Sequence, residues 1–192
     1  DDMTLDVESL TAFVEDNKHS RIFLFGFTFM VYLHFIKELK ARKLNLDLSN
    51  AVLVHGGGWK KLERQAVSPI EFRHILKDLC GLKNVHDYYG MVEQTGSIYM
   101  ECEMGHLHAS IYSDVIIRKS HDFSVAEFGE TGIIQTVSVL ARSYPGHSLL
   151  TEDEGLILGE DDCECGRLGK YFRIEGRIKN AEIRGCSDTY EP

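Results

Sequence analysis

The chain has 192 residues, 43% hydrophobic and 27% charged, with 17 glycines and 3 prolines, the make-up of a globular domain with one sizeable core. Its 30 acidic residues outnumber 21 basic ones for a formal charge of −9, which excludes a protein built to grip nucleic acid, because phosphate binding relies on clustered Lys and Arg. The longest apolar stretch, 22–35, is broken by Gly26, Thr28 and His34, too short for a membrane span, and no secretory leader is recognisable, so a cytoplasmic protein is expected.

Residues 7–17 are predicted to form a helix, followed by a short apolar strand at 21–25. A second helix is predicted over 29–42, where Met30, Leu33, Ile36 and Leu39 recur at three-residue steps. The next strand, 51–54, runs straight into His55-Gly56-Gly57-Gly58-Trp59-Lys60. Ser68-Pro69-Ile70-Glu71 is a capping box with proline at the first helical position. The helix it opens buries Phe72, Ile75, Leu76 and Leu79 and stops at Gly81. Strand, helix, strand, helix favours a parallel sheet flanked by helices. From residue 84 the pattern changes to β-rich runs at 85–89, 97–101, 114–118, 132–140 and 171–174. The expected class is α/β: a mixed or parallel sheet with flanking helices over 1–83, then a β-rich half over 84–192, in one unit without repeats or linkers.

Three constellations can carry chemistry. The glycines at 56–58 leave a strand at the sheet edge where α/β proteins bind ligands, although a plain tight turn explains them as well. Tyr89-Gly90-Met91-Val92-Glu93 sets an aromatic face and a carboxylate in a short array. The first can stack on a purine and the second can hold magnesium, beside the plainer reading of structural tyrosines. The cysteines are Cys80, Cys102, Cys163, Cys165 and Cys186, an odd, irregular set that suits metal binding or catalysis better than disulfides. Cys163-Glu164-Cys165 and the earlier group Cys102, His106 and His108 offer the three thiolates and one imidazole of a closed tetrahedral zinc site. Reduced cysteines on a surface loop are the alternative. His55, Trp59 and Lys60 could help hold a carboxylate or phosphate, without a specific signal.

The pieces Gly129-Glu130-Thr131-Gly132, Tyr144-Pro145-Gly146, Leu149-Leu150-Thr151-Glu152-Asp153 and Gly176-Arg177, in this order after Tyr89-Gly90, resemble the adenylate-forming enzymes. That resemblance implies ATP and magnesium as cofactors. Tyr89 would stack adenine, Glu93 would position Mg2+, Asp153 and Arg177 would hold the ribose, and Gly56, Gly57 and Gly58 would lie along adenine. Within that superfamily, the run 25–32, the loop His55 to Lys60 and the segment 181–188 are similar to the acyl-protein synthetases of bacterial luminescence operons, the LuxE family. Such membership implies that a long-chain fatty acid is activated with ATP, passed to Cys186 as the acyl acceptor, and delivered to an acyl-carrying or reductase partner. Phenylacetate-CoA-ligase-like enzymes carry a similar Glu-Cys, Leu-His and Cys-x-Cys-Gly-Arg, some with zinc. This likeness implies Cys102, His108, Cys163 and Cys165 as ligands of a structural zinc. The upstream Ser/Thr/Gly-rich loop that wraps triphosphate has no match in this sequence, so a C-terminal lobe is expected. Two rival readings are a phenylacetate-type CoA ligase, which would acylate CoA, and a zinc-stapled binding module without catalysis.

Overall fold

Asp6 opens the first helix, α1 (Val7–Asp16), its carboxylate accepting the Ser9 N–H at 3.0 Å. The computed structural model describes residues 4–142 and 145–178, the side chains of residues 60, 61 and 63 excepted. These residues form two units that divide between Asp87 and Tyr88.

In the first unit β1 (Ile22–Phe27) runs parallel to β2 (Ala51–Gly56), with Ile22 opposite Ala51 and Phe27 opposite Gly56. The start of β3 (Asn84–Tyr89) neighbours β2. A parallel pair needs a crossover. Here it is the helical segment α2 (Thr28–Met30), a π turn (Val31–Ile36) and α3 (Lys37–Arg42). Ile22, Ala51 and Leu53 pack beneath Ile36, Leu39, Phe72 and Leu76 to make the core. The last two come from α4 (Pro69–Cys80), where the Ser68 hydroxyl accepts the Glu71 N–H at 3.2 Å and Gly81 closes the helix at φ 72°, as the capping box predicts.

The expected helix over 29–42 is corrected in one respect. Its middle turn is π, the Lys37 N–H reaching back to the Tyr32 carbonyl, and the wider turn rotates the apolar stripe. Ile36 and Leu39 are buried while Met30 and Leu33 are only half-buried. The opposite face of the parallel pair is apolar as well. Phe23 and Phe25 are 67% and 62% exposed there, beside their half-buried partners Val52 and Val54.

The second unit is antiparallel. It contains β4 (Tyr99–Glu101), β5 (Leu107–His108), β6 (Ser113–Arg118), β7 (Gly132–Ser138), β8 (Ser148–Glu160) and β9 (Lys170–Arg177). From the end of β3 the order is β3-β4-β5-β9-β8-β7-β6. Tyr99, Leu107, Val115, Ile117, Ile134, Ile157 and Phe172 form its core. β5 and β8 are strands that the sequence reading leaves out. β8 begins as an alternation of exposed and half-buried residues through an acidic run, which lacks the apolar signal of a strand. The whole is the α/β class read from the sequence. Among the described residues no helix is long and apolar enough to cross a membrane.

Candidate functional site

Pairing of β8 with β9 sets Asp153 opposite Arg177. The register shifts just beyond, Glu154 facing Gly176 but Gly155 facing Ile174, the mark of a bulge that re-aims nearby side chains. Only glycine fits at 155, since a Cβ would stand 2.4 Å from the Arg173 carbonyl oxygen. Thr151 pins the strand before the carboxylate. Its hydroxyl accepts the Asp153 N–H at 3.1 Å and donates to the Ile134 carbonyl at 2.8 Å.

Three side chains singled out by the sequence meet at this point. The Tyr89 hydroxyl donates to Asp153 Oδ2 at 2.8 Å. Arg177 Nε stands 3.5 Å from Asp153 Oδ1, and its Nη2 lies 2.9 Å from Glu152 Oε2. The Tyr89 ring is held at 6.0 Å from Tyr99 and at 6.2 Å, edge-on, from Phe172. Burial, and then the neighbouring Asp153 charge, push its phenol well above the ordinary value, so it remains a donor at physiological pH. A carboxylate with 22% of its side chain still exposed, flanked by an aromatic ring and a guanidinium, can accept hydrogen bonds from vicinal hydroxyls.

Glu93 is exposed on the 3-10 turn Val92–Gln94 that follows Gly90. Gln94 anchors that turn. It is buried and its amide donates to the Gly146 carbonyl at 2.8 Å, a role not foreseen from sequence because glutamine carries no such signal.

In the first unit Gly56 ends β2, Gly57 takes φ 79°, a conformation costly for any side chain, and Gly58 lies open. His55 turns into the unit beside this loop. It is buried, with Nδ1 2.9 Å from the Thr28 hydroxyl and 3.8 Å from Asp87 Oδ1, and its ring lies 4.8 Å from Phe72. Trp59 packs edge-on at 4.9 Å from Tyr32 and 6.2 Å from Phe72. Both pack against Phe72. The Lys60 side chain, Tyr144 and Cys186 lie outside the described residues.

A second cluster is built from two similar turns of the second unit. In the β4–β5 connection the Gly105 N–H donates to the Cys102 carbonyl at 3.0 Å, and in the β8–β9 connection the Gly166 N–H donates to the Cys163 carbonyl at 2.9 Å. Donor atoms of Cys102, His108, Cys163 and Cys165 all lie within 4.8 Å of one another, and this group could hold a metal ion. Cys102 Sγ is 4.0 Å from Cys163 Sγ, and Cys165 Sγ is 3.4 Å from His108 Nε2. Zinc bond lengths in a tetrahedron require roughly 3.8 Å between sulfurs and about 3.5 Å from sulfur to nitrogen, so the donors fit. Burial, followed by the positive charges of Arg167 and His106, lowers the His108 pKa, which favours the neutral imidazole that a metal needs. Burial also opposes ionisation of Cys165, but hydrogen bonds from the Arg167 N–H and neighbouring thiols outweigh it and lower that pKa.

Comparison with known proteins adds a frame. The family model for "Acyl-protein synthetase, LuxE" matches residues 5–191. The chain is 25% identical over 141 residues to the long-chain-fatty-acid–luciferin-component ligase of Vibrio harveyi, covering 70% of this chain and 35% of that protein. It is 24% identical over 181 residues to the enzyme of the same name from Aliivibrio fischeri, covering 89% and 45%. The chain thus spans less than half the length of these curated relatives. Among solved structures, a 2-hydroxyisobutyryl-CoA ligase in complex with 2-HIB-AMP and CoA superposes with a TM-score of 0.68 at 19% identity, over 90% of this chain and 36% of that one, a likeness of fold.

Proposed function

The chain belongs to the LuxE family of acyl-protein synthetases, and from that premise we propose that it is the nucleotide-gripping lobe of an ATP-dependent ligase that activates a long-chain fatty acid. The meeting of Tyr89, Asp153 and Arg177 on one spot carries this reading. Asp153 accepts from the ribose hydroxyls, Arg177 contacts the same sugar, and the Tyr89 ring stacks on adenine. Glu93 is the ligand for magnesium, which supplies neutralisation of the phosphate charge that builds up as ATP reacts. The fatty acid carboxylate attacks the α-phosphate, the bond to the β-phosphate breaks, and pyrophosphate leaves. The acyl-adenylate then loses AMP to a thiolate, which takes the acyl group as a thioester. Cys186 is the proposed acceptor, and a reductase or other acyl-carrying protein its recipient. Free thiols and ATP make this a cytoplasmic reaction. The Cys102, His108, Cys163 and Cys165 cluster is a structural zinc site, since four protein donors leave no open position for substrate.

Stabilisation by a non-hydrolysable long-chain acyl-adenylate analogue tests the nucleotide site. About 2.7 kcal/mol is expected at a hundredfold excess over Kd. No thermal shift in either this chain or a version extended at its N-terminus would remove the enzymatic reading. Cys186→Ser in the full-length protein is expected to abolish the radiolabelled acyl-protein band formed from fatty acid and ATP while leaving pyrophosphate exchange intact. Survival of the band would move the acceptor elsewhere, with CoA the first candidate.

A further inference from the structure

The four-donor cluster has a fifth neighbour of the same chemical kind. His106 Nδ1 lies 3.4 Å from Cys163 Sγ, yet His106 is not one of the four residues whose donors converge. Its ring is stacked on Tyr171 at 4.9 Å and 25°, and Tyr171 is stacked in turn on His108 at 5.6 Å and 23°. The His106 carbonyl also accepts the Cys102 N–H at 2.8 Å. One residue therefore touches both cysteine-bearing turns, through its backbone on one side and its imidazole on the other.

Resting on the zinc reading, we propose that His106 is an outer-sphere positioning residue that donates its Nδ1–H to the Cys163 thiolate. A thiolate bound to a metal carries no proton, so the hydrogen in this contact comes from the imidazole. Three thiolates around a divalent ion leave one net negative charge, and Cys102 and Cys163 are buried at 2% and 7% exposure, where an unneutralised charge is costly. Hydrogen bonds to sulfur spread that charge. Cys165 Sγ accepts the Arg167 N–H at 3.4 Å, and His106 does the same for Cys163. The Tyr171 ring, stacked on both imidazoles, holds their planes in place, His108 with Nε2 toward Cys165. Partners of this outer kind commonly govern metal affinity by 10- to 100-fold.

The test uses this chain loaded with zinc and, separately, with cobalt as a spectroscopic replacement. Competition with a chromogenic chelator should show His106→Ala weakening zinc by about 10- to 100-fold, with His106→Gln, which keeps an N–H donor, in between. The cobalt d–d bands should be unchanged in both variants, because the ligand set is intact. The sulfur-to-cobalt charge-transfer band of His106→Ala should move to lower energy, because a thiolate without its hydrogen bond gives up electrons more readily. A purely structural role would leave that band in place. Wild-type affinity and an unshifted band in both variants would overturn the outer-sphere role, and so would altered d–d bands, which would make His106 a ligand. A wild-type chain that takes up neither metal would instead remove the zinc reading beneath the proposal.

Discussion

Asp153→Asn is expected to weaken binding of the acyl-adenylate analogue by roughly 10- to 100-fold, the worth of a charge-assisted hydrogen bond. The carboxylate offers two acceptor oxygens, and in the free protein each has a donor nearby, the Tyr89 hydroxyl at 2.8 Å and Arg177 Nε at 3.5 Å. A carboxamide has only one oxygen. Turned toward Arg177, its NH2 group faces a donor; turned toward Tyr89, it forces the hydroxyl from donor to acceptor; in either case its capacity toward two ribose hydroxyls is halved. Tyr89→Phe separates the parts of the argument, because it keeps the ring for stacking and removes only the hydroxyl that orients Asp153. A smaller loss, under about tenfold, is expected for it. Isothermal titration with the analogue measures both variants. Equal affinity for D153N and wild type would remove the ribose role from Asp153.

Stripping the metal should have the largest effect on stability. A site filled at a thousandfold excess over its Kd adds about 4 kcal/mol to the folded state, or roughly 15 °C or more in Tm for a unit near a hundred residues. Chelation of the wild type, or Cys163→Ser, should therefore lower the melting transition by that order, with about one zinc per chain found by elemental analysis before treatment. Cys80→Ala is the internal control. Cys80 lies in the other unit, buried in α4 with its thiol donating to the Leu76 carbonyl at 3.2 Å, and burial pushes its pKa up to about 11. Its loss should cost packing without changing zinc content. A wild-type Tm indifferent to chelator would mean that the four donors hold no structural ion.

Elements with a local chemical cause were legible in the sequence. The Ser68–Glu71 capping box and Gly81 bracket α4 because capping is decided within a turn. Most strands of the second unit were legible because their apolar residues face the core. β8 was not, since its first half alternates exposed and half-buried residues through an acidic run and lacks the apolar period of a buried strand. The π turn was hidden for another reason. Its hydrogen-bond shift is a choice between helical registers that Val31 to Ile36 accommodate equally well. At the candidate site, the family motif pointed to Tyr89, Asp153 and Arg177 and contained Thr151, but gave no role to the Thr151 hydroxyl, which bonds across to Ile134, or to Gln94, which holds the turn of Glu93. His55, beside three glycines, carried no specific signal in the sequence. Its burial against Phe72 depends on a helix that follows later in the chain, which no local pattern reports.

The outward stripe of Phe23 and Phe25 on β1 bears on how any of these quantities can be measured. β1 stands at the end of the strand order, and its sequence Ile-Phe-Leu-Phe-Gly-Phe has no charge and no proline, the composition from which intermolecular strand pairing grows. Self-association through that edge would act as a ligand of the folded state, raising apparent stability with protein concentration. Were that edge to pair between molecules, a melting temperature would be a property of the solution as well as of the molecule, and shifts caused by nucleotide or metal are therefore compared at one matched dilution.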